Sequence, residues 1–248
     1  MGKTGTKKIV LLGVWLFLLT GLIVGINVIG SRMGGSQGGD GKTPPHPPPK
    51  LDLVKLEAQW PQIMAQAAAP PRGSADARYT LAEFGDFQCP QCGKARPLLE
   101  KMLAQYPAQA NLIFLHRPFP SLHQWALPSG RAAEIAAARG RFWPMYDVLY
   151  AHQDHLEPGS YSDYAAQAGL DKTQFKKAFD AGQGMDRLNA ASKLADDLGI
   201  QLTPTLLVRD NAAKTVAVYA GMDTQENIKH NIPYPGLDTF AAHPLWVK

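Results

Sequence analysis

Two cysteines separated by two residues, Cys89 and Cys92, lie where a strand-like segment of the sequence gives way to a helix-like one. Before them, residues 79–84 alternate as a short β-strand does. After them, apolar residues recur at helical spacing as far as Tyr106. The chain has no other cysteine among its 248 residues, which excludes a disulfide-stapled mini-protein and a four-cysteine zinc module. All thiol chemistry must therefore pass through this one pair.

A cysteine at the start of a helix is activated by its position. The unpaired N–H groups and the positive end of the helix dipole stabilise a thiolate, so the pKa of Cys89 should fall below the ~8.5 of a free thiol. Cys89 is the predicted nucleophile, and Cys92, one turn further in, is the predicted resolving thiol. A metal site would need two more ligands, and the closest histidine pair, His152 and His155, is better explained as flanking a helix end in solvent.

Two further segments strengthen the redox interpretation. Glu83 lies six residues before Cys89 on the strand that leads into the helix, where an inward carboxyl could accept or relay the proton of the buried second thiol. The alternative is a solvent-facing strand residue. Pro204 follows Thr203 directly before an apolar strand. A cis bond there would set the Thr203 backbone beside the cysteines, where a peptide substrate could pair by strand addition, whereas a trans proline would only mark the start of the strand.

The order of elements predicts a mixed α/β domain over residues 51–248. A lead-in helix spans 51–68, with a bend or break at Pro61. The rest follows the order strand, helix, strand, helical block, helix, strand, strand, terminal helix, which describes a βαβ unit and a β-hairpin with helices inserted between them. Pro97 should kink the helix after the cysteines. The strands are predicted at 79–84, 111–115, 205–209 and 216–220. An Ala-rich helix is predicted at 131–139. A second helix should begin after the capping residue Asp171, and a third should end at Gly199.

The sequence resembles the thioredoxin-fold DsbA-like thiol:disulfide oxidoreductases of the bacterial envelope. The likeness covers about residues 72–220. The matching motifs are residues 83–92 (EFGDFQCPQC) preceded by 73–77 (GSADA), residues 141–147 (RFWPMYD), and residues 198–200 (LGI) leading to 203–205 (TPT).

This resemblance implies a thioredoxin-like fold with an inserted helical subdomain. It also implies roles for four residues, with Cys89 as nucleophile, Cys92 as resolving thiol, Glu83 as the buried acid and Pro204 as the cis-proline. Dithiol exchange requires no cofactor, and none is expected. The most direct function is disulfide formation in cysteine-containing exported proteins, with a membrane redox partner that recycles the active-site cysteines.

The direction of catalysis is less constrained than the chemistry. Strongly oxidising DsbA proteins carry histidine where this chain has Gln91, and an uncharged residue stabilises the thiolate less, which predicts a reduction potential below that of the strongest oxidants. Thr203 before the proline resembles the disulfide isomerases as much as the oxidases, although an isomerase generally needs a dimer. A non-catalytic assembly or metal-delivery factor that binds Cu(I) through the cysteines is a further alternative, disfavoured because the motif has no nearby methionine or histidine.

The basic character of the chain is confined to its N-terminal part. Residues 1–50 hold six bases and one acid, whereas residues 51–248 hold 19 bases and 20 acids, so a basic groove for nucleic acid has no support. Residues 9–29 carry no charge over 21 positions, enough for a helix to cross a hydrocarbon core of roughly 30 Å. A cleaved signal peptide is the alternative, but its apolar region is usually shorter, about 7 to 15 residues, and ends at a small-x-small site.

These observations predict four regions. Residues 1–8 are a cytoplasmic tail, 9–29 a single transmembrane anchor, 30–50 a Gly- and Pro-rich linker, and 51–248 the thioredoxin-like domain with its helical insert at about 121–185. The lysines that precede the anchor place the N-terminus in the cytoplasm and the domain on the periplasmic or other extracytoplasmic side of the inner membrane.

Overall fold

A five-stranded mixed sheet forms the centre of the structure, in the order β1-β3-β2-β4-β5. The strands are β1 (Arg72–Gly73), β2 (Tyr79–Gly85), β3 (Ala110–His116), β4 (Thr205–Asp210) and β5 (Thr215–Ala220). The central strand β2 pairs in parallel with β3 and antiparallel with β4, and β4 and β5 form the hairpin. This computed structural model describes residues 50–230 and 234–242, which belong to one compact unit.

Helices cover both faces of this sheet. They are α1 (Leu53–Ala58), α2 (Trp60–Ala65), α3 (Pro90–Gln105), α4 (Ala126–Ala137), α5 (Phe142–Ala151), α6 (Tyr161–Gln167), α7 (Lys172–Asp180), α8 (Met185–Leu198), α9 (Thr224–Lys229) and α10 (Leu237–Ala241), with 3-10 turns at Gln153–His155 and Pro158–Ser160. The helix α3 connects the parallel strands β2 and β3, which gives the predicted βαβ unit.

Strand β2 is buried along its whole length because both of its faces are covered. On one face Leu81 packs with Leu99 of α3, and on the other Phe84 packs with Ile63 of α2. Side chains alternate along a strand, so Glu83 lies on the same face as Leu81, the face that carries α3. This orientation turns the carboxyl of Glu83 towards the helix that begins at the cysteines.

The helices α4 to α7 form an insert between β3 and α8 and pack over the start of α3. Helix α8 packs on the other face of the sheet, in the cluster that contains Phe84. Cys89, Cys92 and Phe87 belong to the same hydrophobic cluster as Met145 and Tyr146 of α5. The insert therefore supplies one wall around the cysteines, and the sheet supplies the other.

Most of the predicted elements are present, with shifts at their ends. The lead-in helix is divided into α1 and α2 at Gln59, two residues before Pro61. Of the apolar residues at helical spacing in this segment, Leu53 and Met64 are exposed, whereas Leu56, Trp60 and Ile63 are buried. The Ala-rich helix starts at Ala126, five residues before the predicted position.

Several local signals act as predicted. The side chain of Asp171 accepts a hydrogen bond from the Gln174 N–H at 2.7 Å and caps α7. Gly199 ends α8 with φ 79°, a left-handed conformation that glycine adopts without a steric penalty. Pro97 lies inside α3, which continues past it.

The predicted tail, anchor and nearly all of the linker fall on residues 1–49, which lie outside the described residues. Within the described ranges, no helix combines the length and apolar character needed to cross a membrane.

Candidate active site

Cys89 and Cys92 occupy two different environments at the start of α3. Cys89 is the N-cap residue, and Pro90 takes the first helical position, where its missing N–H is not needed. Both cysteines are free thiols. Cys89 keeps 6% of its surface exposed, whereas Cys92 has none. An incoming sulfur can therefore approach Cys89 but not Cys92.

Hydrogen bonds lower the pKa of Cys89 to about 6. The largest contribution comes from the Cys92 thiol, which donates to the Cys89 sulfur; the Thr203 side chain and the backbone N–H groups of Cys92 and Gln91 add to it, and burial opposes it. These donors stabilise the thiolate more than burial destabilises it. Cys89 is consequently a thiolate at neutral pH, the reactive form of the side chain.

The pKa of Cys92 is raised well above 9.0. Burial is the largest cause, followed by the hydrogen bond that its thiol donates to Cys89 and by the negative charges of Cys89 and Glu83; a hydrogen bond from the Asp86 backbone opposes these effects. Cys92 therefore holds its proton across the range in which Cys89 has lost its own.

Glu83 is fully buried beside the two thiols. Burial raises the pKa of its carboxyl to about 8; the hydrogen bond from Tyr146 opposes this increase, and the charge of Cys89 adds to it. The hydroxyl of Tyr146 donates to Glu83 Oε2 at 2.9 Å, while Oε1 has no hydrogen-bond partner among the described residues. A carboxyl with this pKa can take up or release a proton near neutral pH.

Aromatic rings enclose the Glu83 carboxyl and exclude water from it. Phe87 stacks on Phe114 with ring centroids 5.1 Å apart, and Tyr146 meets Tyr150 edge to face at 4.7 Å. Phe114 is the residue paired with Glu83 across β2 and β3. These apolar surroundings explain why desolvation is the largest cause of the raised pKa of Glu83.

The loop before β4 completes the site. The Thr203–Pro204 peptide bond is cis. The Cys89 thiol lies 3.5 Å from the backbone oxygen of Thr203, although the two residues are 114 positions apart in the sequence. The structure thus brings Glu83 and the Thr203–Pro204 turn to the two cysteines, as the sequence pattern anticipated, while their roles in catalysis remain predictions.

Two residues with structural roles at the site were missed by the sequence analysis. Asp86 is buried, and its carboxylate accepts hydrogen bonds from the Gln88 and Phe119 N–H groups at 2.9 and 3.0 Å. Gln153 reaches from the insert and donates through Nε2 to the backbone oxygens of Phe87 and Cys89, at 2.8 and 2.9 Å. Asp86 lies within the motif around the cysteines and could have been noticed there, whereas nothing in the sequence marks Gln153.

The histidine pair weighed as metal ligands lies on the insert. His152 stacks on Tyr164 with ring centroids 4.7 Å apart, and the backbone oxygen of His155 accepts a hydrogen bond from the Tyr164 hydroxyl at 2.6 Å. Over residues 50–230 and 234–242, no group of three His, Cys, Asp or Glu side chains is arranged to hold a metal ion.

Comparison with known families assigns the fold. A family model described as Thioredoxin matches residues 67–225, a stretch that includes all five strands of the sheet and both cysteines. The chain belongs to the thioredoxin family. The cysteine motif, the insert and the Thr203–Pro204 turn all lie within the residues that the family model matches.

Curated relatives match over a shorter stretch. The Na(+)/H(+) antiporter NhaA 3 of Salinispora tropica is 36% identical over 137 residues, which is 55% of this chain and 21% of the antiporter. The Na(+)/H(+) antiporter NhaA 1 of Mycolicibacterium gilvum is 35% identical over 139 residues, 55% of this chain and 22% of the antiporter. The chain thus spans about a fifth of the length of the curated relatives it matches.

Solved structures share the fold at lower sequence identity. The catalytic domain of Proteus mirabilis ScsC has a TM-score of 0.55 and 24% identity, with 72% of this chain and 96% of that chain covered. BdbD from Bacillus subtilis in its oxidised form has a TM-score of 0.56 and 20% identity, covering 76% and 96%. DsbA2 of Pseudomonas aeruginosa has a TM-score of 0.52 and 23% identity, covering 71% and 96%. At these identities the likeness establishes a thioredoxin-like fold with helical insertions.

Proposed function

We propose that this chain is a thiol:disulfide oxidoreductase that works by dithiol–disulfide exchange through Cys89 and Cys92. The observation that carries the proposal is the opposite displacement of the two thiol pKa values, to about 6 for Cys89 and well above 9.0 for Cys92. A nucleophilic, accessible sulfur beside a buried, protonated one is the arrangement that disulfide exchange requires. The solved structures of similar fold, which include a thiol-disulfide exchange protein of Wolbachia pipientis, support the same chemistry.

The exchange reaction balances as two sulfur displacements. With Cys89 and Cys92 joined in a disulfide, a substrate thiolate attacks the Cys89 sulfur, the protein disulfide breaks, and Cys92 leaves and takes up a proton. A second substrate thiolate attacks the mixed disulfide and expels Cys89 as a thiolate. The substrate loses two electrons and gains a disulfide, and the protein becomes a dithiol. Of the two protons that the substrate thiols release, one balances the proton that Cys92 takes up and the other remains in solvent.

Glu83 is suited to supply the proton that Cys92 takes up. Its charge is close enough to Cys92 to raise the pKa of that thiol, and its own pKa of about 8 keeps the carboxyl mostly protonated at pH 7. A proton donor inside the aromatic enclosure is useful because Cys92 is closed to solvent.

The wider function proposed is disulfide formation in cysteine-containing exported proteins, by a domain held on the extracytoplasmic side of the inner membrane through residues 9–29. A membrane redox partner would reoxidise the dithiol. The uncharged apolar run and the lysines before it support this placement. The match to antiporters adds no transport activity to the proposal, because it spans about a fifth of those proteins.

The decisive test is oxidation of a reduced two-cysteine peptide by the purified, oxidised full-length chain. We expect stoichiometric peptide disulfide and protein dithiol, and loss of the reaction in Cys89→Ser. Cys92→Ser, incubated instead with the disulfide form of the peptide, should hold a mixed disulfide, because its Cys89 thiolate attacks that disulfide, one peptide thiolate leaves, and no second protein thiol resolves the product. The exposed substitution Lys101→Ala is the control and should react as the parent chain does. Oxidation that persists in Cys89→Ser would remove the proposal.

Disulfide isomerisation is the alternative activity of the same site. The Thr203 residue before the proline is the feature that favours it. Refolding of a scrambled multi-disulfide protein, together with the mass of the chain in solution, separates the two activities, since an isomerase should rearrange the scrambled protein and form a dimer, whereas an oxidase should oxidise only reduced substrate.

A further inference from the structure

A buried carboxylate links the cysteine turn to a neighbouring loop that carries a histidine. The backbone oxygen of Asp86 accepts the Cys89 N–H at 3.1 Å. Its side-chain Oδ2 lies 2.8 Å from Nδ1 of His123 and 3.0 Å from the N–H of Phe119. The Asp86 carboxylate has no exposed surface, and His123 retains 19%. Asp86 thus connects the nucleophile on one side with an imidazole on the other.

A second contact fastens the same loop to the cysteine turn. The Trp125 N–H donates to Gln88 Oε1 at 2.6 Å. His123 is therefore held between two attachment points, Phe119 and Trp125, each bonded to a residue within three positions of Cys89. The position of the imidazole is fixed by the loop as well as by its own hydrogen bond.

We propose that protonated His123, held by the buried carboxylate of Asp86, is a positioning residue whose positive charge stabilises the Cys89 thiolate. This inference rests on the proposed function and deepens it. The motif itself offers no cation, because Gln91 is neutral. The hydrogen bond with Asp86 fixes the imidazole near the cysteine turn, and a positive charge held there favours the negative charge of the thiolate.

The ionisable groups that act on His123 agree with this arrangement. The hydrogen bond that His123 donates to Asp86 is the largest cause of the raised pKa of His123, and the charge of Cys89 also contributes to raising it, against burial. Arg117, earlier on the same loop, is engaged with Asp196 at 2.7 Å. Because such coupling is reciprocal, a thiolate that favours the imidazolium is itself favoured by it.

The first experiment measures the pKa of Cys89 from the ultraviolet absorbance of its thiolate in the reduced full-length chain. His123→Gln keeps a donor to Asp86 but no charge, and we expect the pKa of Cys89 to rise by roughly 0.5 to 1 unit. The equilibrium constant for reduction of the protein disulfide by glutathione should fall about three- to tenfold, because the reduced form loses the stabilisation of its thiolate. His123→Arg restores the charge and should return the pKa of Cys89 to the parent value or below.

His230→Gln is the matched control, since His230 is an exposed histidine directly after α9 that also faces a carboxylate, Glu226 Oε2, at 3.7 Å. It should leave the pKa of Cys89 unchanged. The proposal would be overturned if the pKa of Cys89 were unchanged in His123→Gln. It would also be overturned if the pKa of Cys89 rose in His123→Arg as much as it rises in His123→Gln.

A second measurement needs no substitution. The imidazole pKa of His123, followed by NMR, should be higher in the dithiol chain than in the disulfide chain, because only the dithiol form carries the thiolate. Equal values in the two redox states would contradict the coupling even if every variant failed to fold. These readouts are independent of peptide oxidation, so a chain that shows the coupling but oxidises no peptide would refute the proposed function and leave the His123 assignment standing.

Discussion

The pKa values of Glu83 and Cys89 are shifted in opposite directions, and each shift has its own physical cause. Glu83 is a carboxyl without solvent, so its charged form is disfavoured. Cys89 is a thiol surrounded by donors, so its charged form is favoured. At pH 7 this leaves the proton on the carboxyl and the negative charge on the sulfur, the reverse of what the two groups adopt in water.

Because Glu83 is buried, the folded protein should lose stability as the pH rises from 4.5 to about 8. Its folded pKa is raised, so the protonated form contributes fully below the unfolded value of 4.5, and stability is lost as the pH rises through about 8. We expect Glu83→Gln, which keeps an acceptor for Tyr146, to raise the free energy of unfolding at pH 7 by about 1 to 3 kcal/mol and to flatten its pH dependence. Denaturant unfolding between pH 4 and 8 measures this, with the exposed Glu157→Gln as control.

Two buried tyrosines of α5 should respond differently to loss of their hydroxyl groups. Tyr146 donates to Glu83, so Tyr146→Phe should cost about 1 to 2 kcal/mol and raise the pKa of Glu83 further. The Tyr150 hydroxyl is buried and has no hydrogen-bond partner among the described residues, so Tyr150→Phe should be neutral or stabilising. Thermal unfolding of both variants makes the comparison, and an equal loss in the two would argue against the Glu83 contact as the cause.

At the scale of elements, Gln153 of the insert is hydrogen-bonded to the turn that begins the active-site helix α3. Gln153 donates to the backbone oxygens of Phe87 and Cys89, and a Cβ atom added at Gly93 would collide with Gln153 Oε1. Glycine within a helix is otherwise unfavourable relative to alanine by about 1 kcal/mol. Gly93 therefore makes room for the contact between the insert and the cysteine turn.

This arrangement predicts that the effect of Gly93→Ala changes sign with its partner. In the parent chain the new methyl group displaces Gln153 and forfeits its two hydrogen bonds, a loss of about 1 to 2 kcal/mol that exceeds the gain in helix propensity. In a Gln153→Ala background nothing is displaced, and Gly93→Ala should stabilise by about 0.5 to 1 kcal/mol. A double-mutant cycle of unfolding free energies measures the coupling, and additive effects would refute it.

The elements that the sequence predicted well are those with a periodic pattern. Strands β2 to β5, the helix after the cysteines and the Asp171 and Gly199 ends follow from alternation, helical spacing and capping chemistry. The two-residue strand β1 is too short to show a period. The contacts of His123 with Asp86 and of Gln153 with Cys89 join residues 37 and 64 positions apart, and single polar side chains of this kind leave no local pattern.

At the scale of the whole molecule, the fold places the reactive turn where three separate parts of the chain meet. The sheet brings Glu83, the insert brings Tyr146 and Gln153, and the loop before β4 brings Thr203. Each part contributes side chains or backbone to the surroundings of the cysteine turn without carrying the nucleophile itself. We therefore expect the stability of the whole domain to depend on the redox state of the thiol pair.

We expect the reduced chain to gain stability over the oxidised chain as the pH rises from 6 to 8. The folded pKa of Cys89 is depressed to about 6 from an unfolded value of 9.0, so its contribution is complete above the unfolded value and is lost as the pH falls through 6. The oxidised chain has no such group, so the difference in unfolding free energy between the two forms should grow by about 2 kcal/mol over this interval. Cys89→Ser, measured with and without reductant, is the control and should show no redox-dependent difference. A difference between the reduced and oxidised parent chain that stays constant from pH 6 to 8 would mean that Cys89 is not a stabilised thiolate in the folded protein.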